Sequence, residues 1–258
     1  MMDSLRIGYK THKGTRIVAE GITAAIRQGE LTCLLGENGV GKSTLLRTLA
    51  GFMPPLGGTI RMGGQSLDEL TPRQLARTVG VVLTERLDVQ QMQVSELVAM
   101  GRSPYTGFWG HLDDTDRQAV DEAIRLVGID GLRQRQVNTL SDGERQKAMI
   151  AKALAQQTPI IYLDEPTAFL DYPSKAEMLL LLRRICREAQ KTVFLSTHDL
   201  ELALQVADTV WLMEHGGALH IGTPRQLADD GILGRFIERD GMTFDARMLS
   251  VKVNTTMN

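Results

Sequence analysis

The most constraining feature of this sequence is a glycine-rich segment, GENGVGKST, that occupies residues 36–44. It fits the pattern G-x-x-x-x-G-K-[ST] at every position. The continuous apolar run before it, residues 31–35, is typical of a strand that is buried on both faces. The residues after it, 42–50, have the pattern of a helix. We therefore expect an α/β fold around a site for phosphate groups.

The residue types of this loop suit a nucleoside triphosphate with Mg²⁺. Glycines let the backbone curl so that its N–H groups point at phosphate oxygens, and the helix start adds partial positive charge. We expect Lys42 to contact the β- and γ-phosphates and the Ser43 hydroxyl to bind the metal ion. The residues predicted to contact the nucleotide in this loop are Gly36, Asn38, Gly39, Gly41, Lys42, Ser43 and Thr44.

A second element combines an apolar run at residues 160–163 with two carboxylates, Asp164 and Glu165. We predict that Asp164, at the end of a strand, holds Mg²⁺ through water, because this ion gives up its water reluctantly. Glu165 is then placed to polarise the attacking water as a general base. On its own, the same pattern also fits a strand followed by a polar turn.

Strands alternate with helices along most of the chain, which indicates a parallel α/β sheet. The period-two pattern at residues 5–9 predicts an antiparallel β region at the start. The expected fold is a P-loop nucleotide-hydrolase (RecA-like) core with this β region and an inserted α-helical subdomain. The predicted divisions are a single domain over 1–235, its core over about 1–84 and 158–229, its helical subdomain over about 85–157, and a C-terminal extension over 230–258.

Local patterns also predict individual elements. Threonine followed by Pro-Arg-Gln occurs at residues 71–74 and 223–226, and each is a capping box that opens a helix. The other predicted helices lie over 95–100, 113–127, 141–157, 175–190 and 200–207, and the other predicted strands over 79–83, 193–196 and 210–213.

Composition excludes several classes of protein. The 29 Lys and Arg residues against 31 Asp and Glu residues give a net charge of −2, which predicts no broad surface for nucleic acid. The two cysteines, Cys33 and Cys186, lie in apolar patterns and predict core thiols rather than a disulfide scaffold. The sequence lacks an apolar run of roughly 20 residues and an N-terminal secretory signal. We therefore expect an intracellular, water-soluble chain that reaches a membrane through a partner.

The order of the motifs resembles that of the ATP-binding subunits of ABC transporters. LSDGERQ at 140–146 resembles the signature of that family, PTAFLD at 166–171 its D-loop, and STHD at 196–199 its switch-histidine motif. The resemblance implies that Tyr9 stacks on adenine and that His198 contacts the γ-phosphate. By themselves, the segment at 140–146 also fits an ordinary capping box and His198 an ordinary strand-end histidine.

The resemblance further implies a head-to-tail dimer that closes around two ATP molecules, with Mg²⁺. In that dimer Ser141, Gly143 and Glu144 contact the nucleotide held by the phosphate loop of the second copy. It also implies a polytopic membrane permease as partner, an indirect role for a substrate-binding protein, no nucleic acid, and a peripheral location at the cytoplasmic face of the plasma membrane.

Four positions depart from the family pattern. Thr84 aligns with a glutamine that contacts Mg²⁺, and Glu85 follows it, so either residue is a candidate for that role. Asp142 and Glu144 replace the usual glycine and glutamine of the signature. Glu37 replaces a common proline, and we expect little effect if its side chain faces outward.

The cargo prediction depends on a shorter stretch. Residues 94–104, VSELVAMGRSP, resemble the V-x-E-x-V-x-x-G-R-x-P run of importers for iron–siderophore complexes, haem and cobalamin. Iron–siderophore uptake is the expected use. The alternatives are a soluble ABC-type ATPase that acts on nucleic acid or the ribosome, and a P-loop small-molecule kinase.

Three aromatic residues occur in the loop that follows this run, Tyr105, Phe108 and Trp109. They fit either a small satellite core under the loop or an apolar rim for a helix of the membrane subunit. The sequence leaves these two interpretations open.

Overall fold

The structure is a computed structural model that describes residues 1–11, 14–84, 91–107 and 110–253. Its strands, in chain order, are β1 (Met2–Thr11), β2 (Gly14–Ala24), β3 (Leu31–Gly36), β4 (Gly57–Met62), β5 (Gln65–Ser66), β6 (Val79–Val82), β7 (Ile160–Asp164), β8 (Thr192–Ser196), β9 (Thr209–Met213), β10 (Leu219–Gly222), β11 (Met242–Asp245) and β12 (Ser250–Val253). Its α-helices are α1 (Lys42–Leu49), α2 (Pro72–Thr78), α3 (Val94–Ala99), α4 (Asp114–Val127), α5 (Asp142–Ala155), α6 (Tyr172–Glu188), α7 (Leu200–Val206), α8 (Pro224–Asp229) and α9 (Ile232–Ile237).

The central sheet carries the phosphate loop. Within the described residues it has six strands in the order β10-β9-β3-β8-β7-β6. All of its neighbours pair in parallel except β9 and β10, which are antiparallel. β3, β8 and β9 consist almost entirely of buried residues, as their continuous apolar sequences predict. The α/β class is thereby confirmed.

One aromatic side chain from each of three strands of this sheet, β7, β8 and β9, joins a buried cluster of rings. Tyr162 meets Phe194 edge to face at 5.8 Å between ring centroids, and Phe194 meets Trp211 at 5.1 Å. All three rings are buried, and such pairs stabilise a core beyond the area they bury. Cys33 and Cys186 lie in the core as predicted, and burial raises the pKa of both thiols.

The start of the chain forms the predicted antiparallel region. β1 pairs with β2 and β4 in a sheet of order β2-β1-β4-β5. Leu5 and Ile7 are buried while Arg6 between them is exposed, which is the alternation in the sequence. This sheet packs on the central one and brings Tyr9 to the phosphate loop.

The described residues between β6 and β7 fold into α3, α4 and α5 with short helical turns. The predicted start of α3 at Ser95 is wrong, because the cap is Gln93. The Glu96 carboxylate accepts a hydrogen bond from the Gln93 N–H at 2.8 Å, and Val94 is already buried. α6 likewise begins at Tyr172, before the predicted Lys175, since Asp171 caps it by accepting from the Ser174 N–H.

Tyr105 folds back onto the protein, which supports a satellite core rather than an exposed rim at this residue. Its hydroxyl donates to the carbonyl of Gln156 at 3.0 Å. Two guanidinium groups cover its ring, that of Arg102 at 4.0 Å and that of Arg77 at 4.6 Å from the centroid. Phe108 and Trp109 lie outside the described residues, as does His12.

The described part of the C-terminal extension, residues 230–253, folds against the rest of the protein. Leu233 and Ile237 of α9 are buried in the main core, and β11 pairs with β12 as a hairpin. Arg225 of α8 donates to the carbonyls of Ala246 and Arg247 in this hairpin. Among the residues described, no helix is long and apolar enough to cross a membrane.

Candidate nucleotide-binding site

The backbone of the phosphate loop depends on glycine at two points of close approach. Gly36 has φ 154°, and a Cβ atom there would lie 2.4 Å from the carbonyl oxygen of Met213. Gly41 has φ 118°, and its Cβ atom would lie 2.2 Å from a methyl group of Val18. Any larger residue would push the loop away from β9 and β2, so the glycines of the motif fix where the loop lies.

Lys42 is held by the loop that it belongs to. Its Nζ donates to the carbonyls of Gly36 at 2.8 Å and Glu37 at 3.2 Å. It also lies 4.0 Å from a carboxylate oxygen of Glu165. Burial lowers the pKa of Lys42, while the charges of Glu165 and Asp164 oppose that shift. The ammonium group therefore lies between the loop carbonyls and the acidic end of β7.

Oxygen atoms from three elements meet at Asp164. Its Oδ1 accepts from the Ser43 hydroxyl at 3.0 Å and from the Ser196 hydroxyl at 2.6 Å. A hydroxyl and a carboxylate at this separation are oxygen ligands of the kind Mg²⁺ takes, usually together with water. The residues present therefore fit the predicted metal ion, which Ser43 and Asp164 would hold.

Glu165 and His198 are brought together as the motifs predict. Glu165 Oε2 and His198 Nδ1 are 2.5 Å apart. Glu165 has φ 51°, a left-handed conformation that is uncommon for a residue with a side chain. Its N–H is held there by the carbonyl and the hydroxyl oxygen of Ser196. Glu165 is mostly buried and His198 is half exposed, so the pair lies at the edge of the site.

Thr84 lies at this edge, beside the residues predicted to hold the metal ion. Its hydroxyl donates to the backbone carbonyl of Asp164 at 2.7 Å. The residue therefore touches the main chain of Asp164 rather than its carboxylate, and its contact with Mg²⁺ stays a prediction. Glu85, the alternative candidate, lies outside the described residues.

A cleft of about 300 Å³ opens beside the phosphate loop. Its lining consists of Tyr9, Arg16, Val18, Asn38, Gly39, Gly41, Lys42, Ser43, Thr44 and Glu165. The Tyr9 hydroxyl is hydrogen-bonded to Thr44 Oγ1 at 2.6 Å, and its side chain is partly exposed. The ring is thereby held against the first turn of α1, and stacking on adenine stays a prediction. Arg16, which no motif marked, adds a positive charge to the wall.

The signature residues lie apart from this cleft. Among the residues that the structure describes, the lining does not include Ser141, Gly143 or Glu144. Ser141 caps α5 by accepting from the Glu144 N–H at 3.2 Å, and the Glu144 carboxylate accepts from the Ser141 N–H at 2.8 Å. This backbone hydrogen bond lowers the pKa of Glu144, which therefore keeps its charge. Arg135 and Arg145 lie beside Glu144 and Asp142, at 3.3 and 3.5 Å, and offset the extra acidic groups.

The sequence motifs do not predict the role of two residues that hold the site together, Ser196 and Asp199. Ser196 joins Asp164 to Glu165, and the signal for it is a buried serine that ends a strand next to β7. Asp199, which follows His198, accepts from Thr167 at 2.7 Å and from Lys175 at 2.6 Å. Burial raises the pKa of Asp199, but these two hydrogen bonds outweigh it and the pKa is lowered. The D-loop segment is thus tied to the switch-histidine segment.

Comparisons with known proteins agree with this arrangement. The family model described as ABC transporter matches residues 19–168. An uncharacterized ABC transporter ATP-binding protein of Methanocaldococcus jannaschii is 40% identical over 87% of this chain and 76% of its own length. The ferric enterobactin transport ATP-binding protein FepC of Escherichia coli is 35% identical over 90% of this chain and 84% of its own length. The solved structure of cbiO1 from Clostridium perfringens, part of the ABC transporter complex cbiONQ, is 28% identical with a TM-score of 0.78 and covers 91% of this chain and 92% of its own.

Proposed function

Because the chain belongs to the ABC transporter family, in which it is an ATP-binding subunit with ATPase activity, we propose that it hydrolyses MgATP to drive an importer of iron–siderophore complexes. Haem and cobalamin are the related cargoes that the run at residues 94–104 also fits. The relatives support a transporter, and nothing in the described part of the chain favours the nucleic-acid or kinase alternatives.

The observation that carries the proposal is the convergence of five motif residues at one end of the central sheet. Lys42 and Ser43 come from the phosphate loop, Asp164 and Glu165 from the end of β7, and His198 from the end of β8. They are linked by the Ser43–Asp164 contact of 3.0 Å, the Lys42–Glu165 contact of 4.0 Å and the Glu165–His198 contact of 2.5 Å.

Each residue then has a distinct task in hydrolysis. The loop N–H groups and Lys42 bind the phosphates. They also stabilise the negative charge that develops on the phosphate oxygens during bond cleavage. Mg²⁺, when bound by Ser43 and Asp164, supplies further positive charge at the phosphates. Glu165 accepts the proton of the attacking water, and His198 orients the Glu165 carboxylate.

A second copy of the chain completes each site in this proposal. The signature segment begins α5 at Asp142, and the partial positive charge of a helix start attracts anions. Because one chain has one phosphate loop and one signature, two copies placed head to tail give two complete sites. The separation of Ser141 from the cleft of its own chain supports this arrangement.

An apolar groove supports a membrane permease as partner. It holds about 690 Å³ and lies between the residues that follow α1, the α2 region and the end of α5. Phe52 lines it with 57% of its surface exposed. We propose that a short helix of a polytopic permease occupies it, which places this subunit at the cytoplasmic face of the membrane. A substrate-binding protein would deliver the cargo to that permease.

The test is the substitution Glu165→Gln, which keeps the shape of the side chain and removes its proton acceptor. We expect the ATP turnover number to fall by about 10²–10⁴-fold while ATP binding is retained. The mutant should also accumulate as an ATP-bound dimer in size-exclusion chromatography.

Lys42→Ala is the matched control, because it should weaken ATP binding as well as turnover. Near-normal turnover in the Glu165→Gln variant would refute the assignment of the base. Unchanged ATP affinity in Lys42→Ala would refute the nucleotide site itself.

A further inference from the structure

The phosphate loop is tied to the C-terminal extension through Glu37. One carboxylate oxygen of Glu37 accepts a hydrogen bond from the guanidinium group of Arg239, and the other lies 3.1 Å from Nε2 of His215. The hydrogen bond from Arg239 is the main reason that the pKa of Glu37 is lowered. The residue that replaces a common proline of the motif therefore has a definite partner 202 positions later in the chain.

The same residue also holds the catalytic lysine. The backbone carbonyl of Glu37 accepts from Lys42 Nζ at 3.2 Å. The side chain of Glu37 thus anchors a peptide unit whose carbonyl positions the ammonium group. A displacement of this turn would move Lys42 with it.

The backbone of Arg239 is held in place by the fold around it. It lies two residues after Ile237, which is buried in the main core, and its backbone exchanges hydrogen bonds with Met242. The extension is held a second time where the Val251 N–H donates to the Glu201 carboxylate at 2.7 Å. Glu201 lies on α7, the helix that follows His198, so the extension contacts both the phosphate loop and the switch-histidine element.

A cavity of about 580 Å³ separates these two attachments. Its lining includes Asn38 of the phosphate loop, His198, Arg239 and Val251. The extension therefore spans a gap beside the nucleotide site rather than filling it. Its influence on the loop passes through the ion pair and not through close packing.

We propose that Arg239 is a positioning residue for ATP hydrolysis, which holds the phosphate loop through Glu37 and so fixes the place of Lys42. This inference rests on the proposed function. A single exposed ion pair contributes little, but here one carboxylate meets two basic groups and joins segments that are distant in sequence. The ion pair holds the loop in the ATP-bound ground state and in the transition state alike. Its loss should therefore affect ATP binding more than the chemical step.

The experiment compares Arg239→Ala, Glu37→Gln and the double variant in the full chain. The measurements are the kcat and KM for ATP and the Kd for mant-ATP, a fluorescent ATP analogue. We expect Arg239→Ala to raise KM and Kd by about threefold to tenfold with kcat within about twofold of wild type. The double variant should match the single ones, because each single substitution already abolishes the same ion pair.

Two further variants separate positioning from folding. Arg235→Ala removes an exposed arginine from the same extension without touching Glu37, and it should leave KM and Kd unchanged. Arg239→Lys keeps the charge and should restore part of the affinity. The difference between wild type and Arg239→Ala should shrink at high salt, which screens exposed charges.

The inference is overturned if Arg239→Ala binds mant-ATP as wild type does, or if the effects of Arg239→Ala and Glu37→Gln multiply in the double variant. It is also overturned if Arg239→Ala acts only by lowering the melting temperature. Failure of the proposed function has a different signature, because the wild-type chain would then neither bind nor hydrolyse ATP and Lys42→Ala would change nothing.

Discussion

At the scale of single residues, the site is organised by the hydrogen bonds that Asp164 accepts. Its carboxylate is buried and receives two hydroxyl groups, from Ser43 and Ser196. Its backbone carbonyl receives a third from Thr84. A buried acceptor that loses a donor costs more than the lost bond is worth, so these hydroxyls determine where the oxygen proposed to bind Mg²⁺ lies.

Thr84→Val tests this role because valine keeps the shape and removes the hydroxyl. The loss of one hydrogen bond of about 1 kcal/mol corresponds to about a fivefold effect. We expect the Mg²⁺ concentration for half-maximal hydrolysis to rise by roughly that factor. The measurement is a Mg²⁺ titration of ATPase activity.

Thr84→Ser keeps the hydroxyl and is the control, which should titrate as wild type. If Thr84→Val also titrates as wild type, the hydroxyl has no part in holding the metal-binding element. Glu85→Gln then becomes the variant to measure, since Glu85 is the remaining candidate of the sequence.

The sequence could predict the functional residues that belong to short, recognisable motifs. Lys42, Ser43, Asp164 and Glu165 follow from the order of strand, loop and helix, because parallel strands end at the same edge of a sheet. Contacts such as that of Glu37 with Arg239 could not be predicted, since nothing in either local pattern marks a partner 202 residues away. The outward-facing side chain predicted for Glu37 is where this contact forms.

At the scale of elements, the run at residues 94–104 has a packing explanation. A Cβ atom on Gly101 would lie 2.2 Å from the carbonyl oxygen of Lys152, so the turn that follows α3 approaches α5 as closely as glycine allows. The next residue, Arg102, is buried and donates to Asp116 at 2.8 Å and to the Ala155 carbonyl at 2.7 Å. The glycine and arginine that suggested the transporter subclass thus join three helices.

The same elements show where prediction of helix starts from local sequence fails. Ser95 is a good capping residue by type, but the burial of Val94 draws the helix start one residue earlier. Asp171 caps α6 and Pro173 suits the second helical position, a signal that the sequence itself carries. Tertiary burial decides between caps that local propensity leaves nearly equal.

Gly101→Ala tests the close contact between the turn that follows α3 and helix α5. The added methyl group must displace backbone, and overpacking of this kind costs about 1–3 kcal/mol. In a chain of this size that corresponds to a fall in melting temperature of roughly 2–12 °C. Differential scanning calorimetry measures it.

Gly131→Ala is the matched control. A Cβ atom on Gly131 would meet no heavy atom within 4 Å, and its backbone lies outside the left-handed region. Its melting temperature should equal that of wild type. If Gly101→Ala is equally stable, the helices separate at no cost and the packing explanation of the run is wrong.

At the scale of the whole molecule, the nucleotide cleft and the groove of Phe52 have different linings. The edge that carries Asp164 and Glu165 faces the nucleotide cleft, whereas the groove of Phe52 lies between the phosphate-binding core and the helices that follow β6. Helix α1 begins at the phosphate loop, and the groove opens just after its end. A partner in the groove would therefore sense movements of the nucleotide site through one short helix.

Phe52→Ser tests whether a permease occupies this groove. More than half of the Phe52 surface is already exposed, so its loss should change the melting temperature little, while an apolar contact to a partner should be lost. We expect the variant to keep ATP binding but to fail to copurify with the proposed permease, and to lose uptake of iron–siderophore complexes. Leu180→Ser is the control, because Leu180 on α6 is exposed to the same 57% but does not line the groove. If both variants assemble and transport as wild type does, the permease docks elsewhere. If Phe52→Ser melts markedly lower, Phe52 belongs to the core of the subunit and not to its interface.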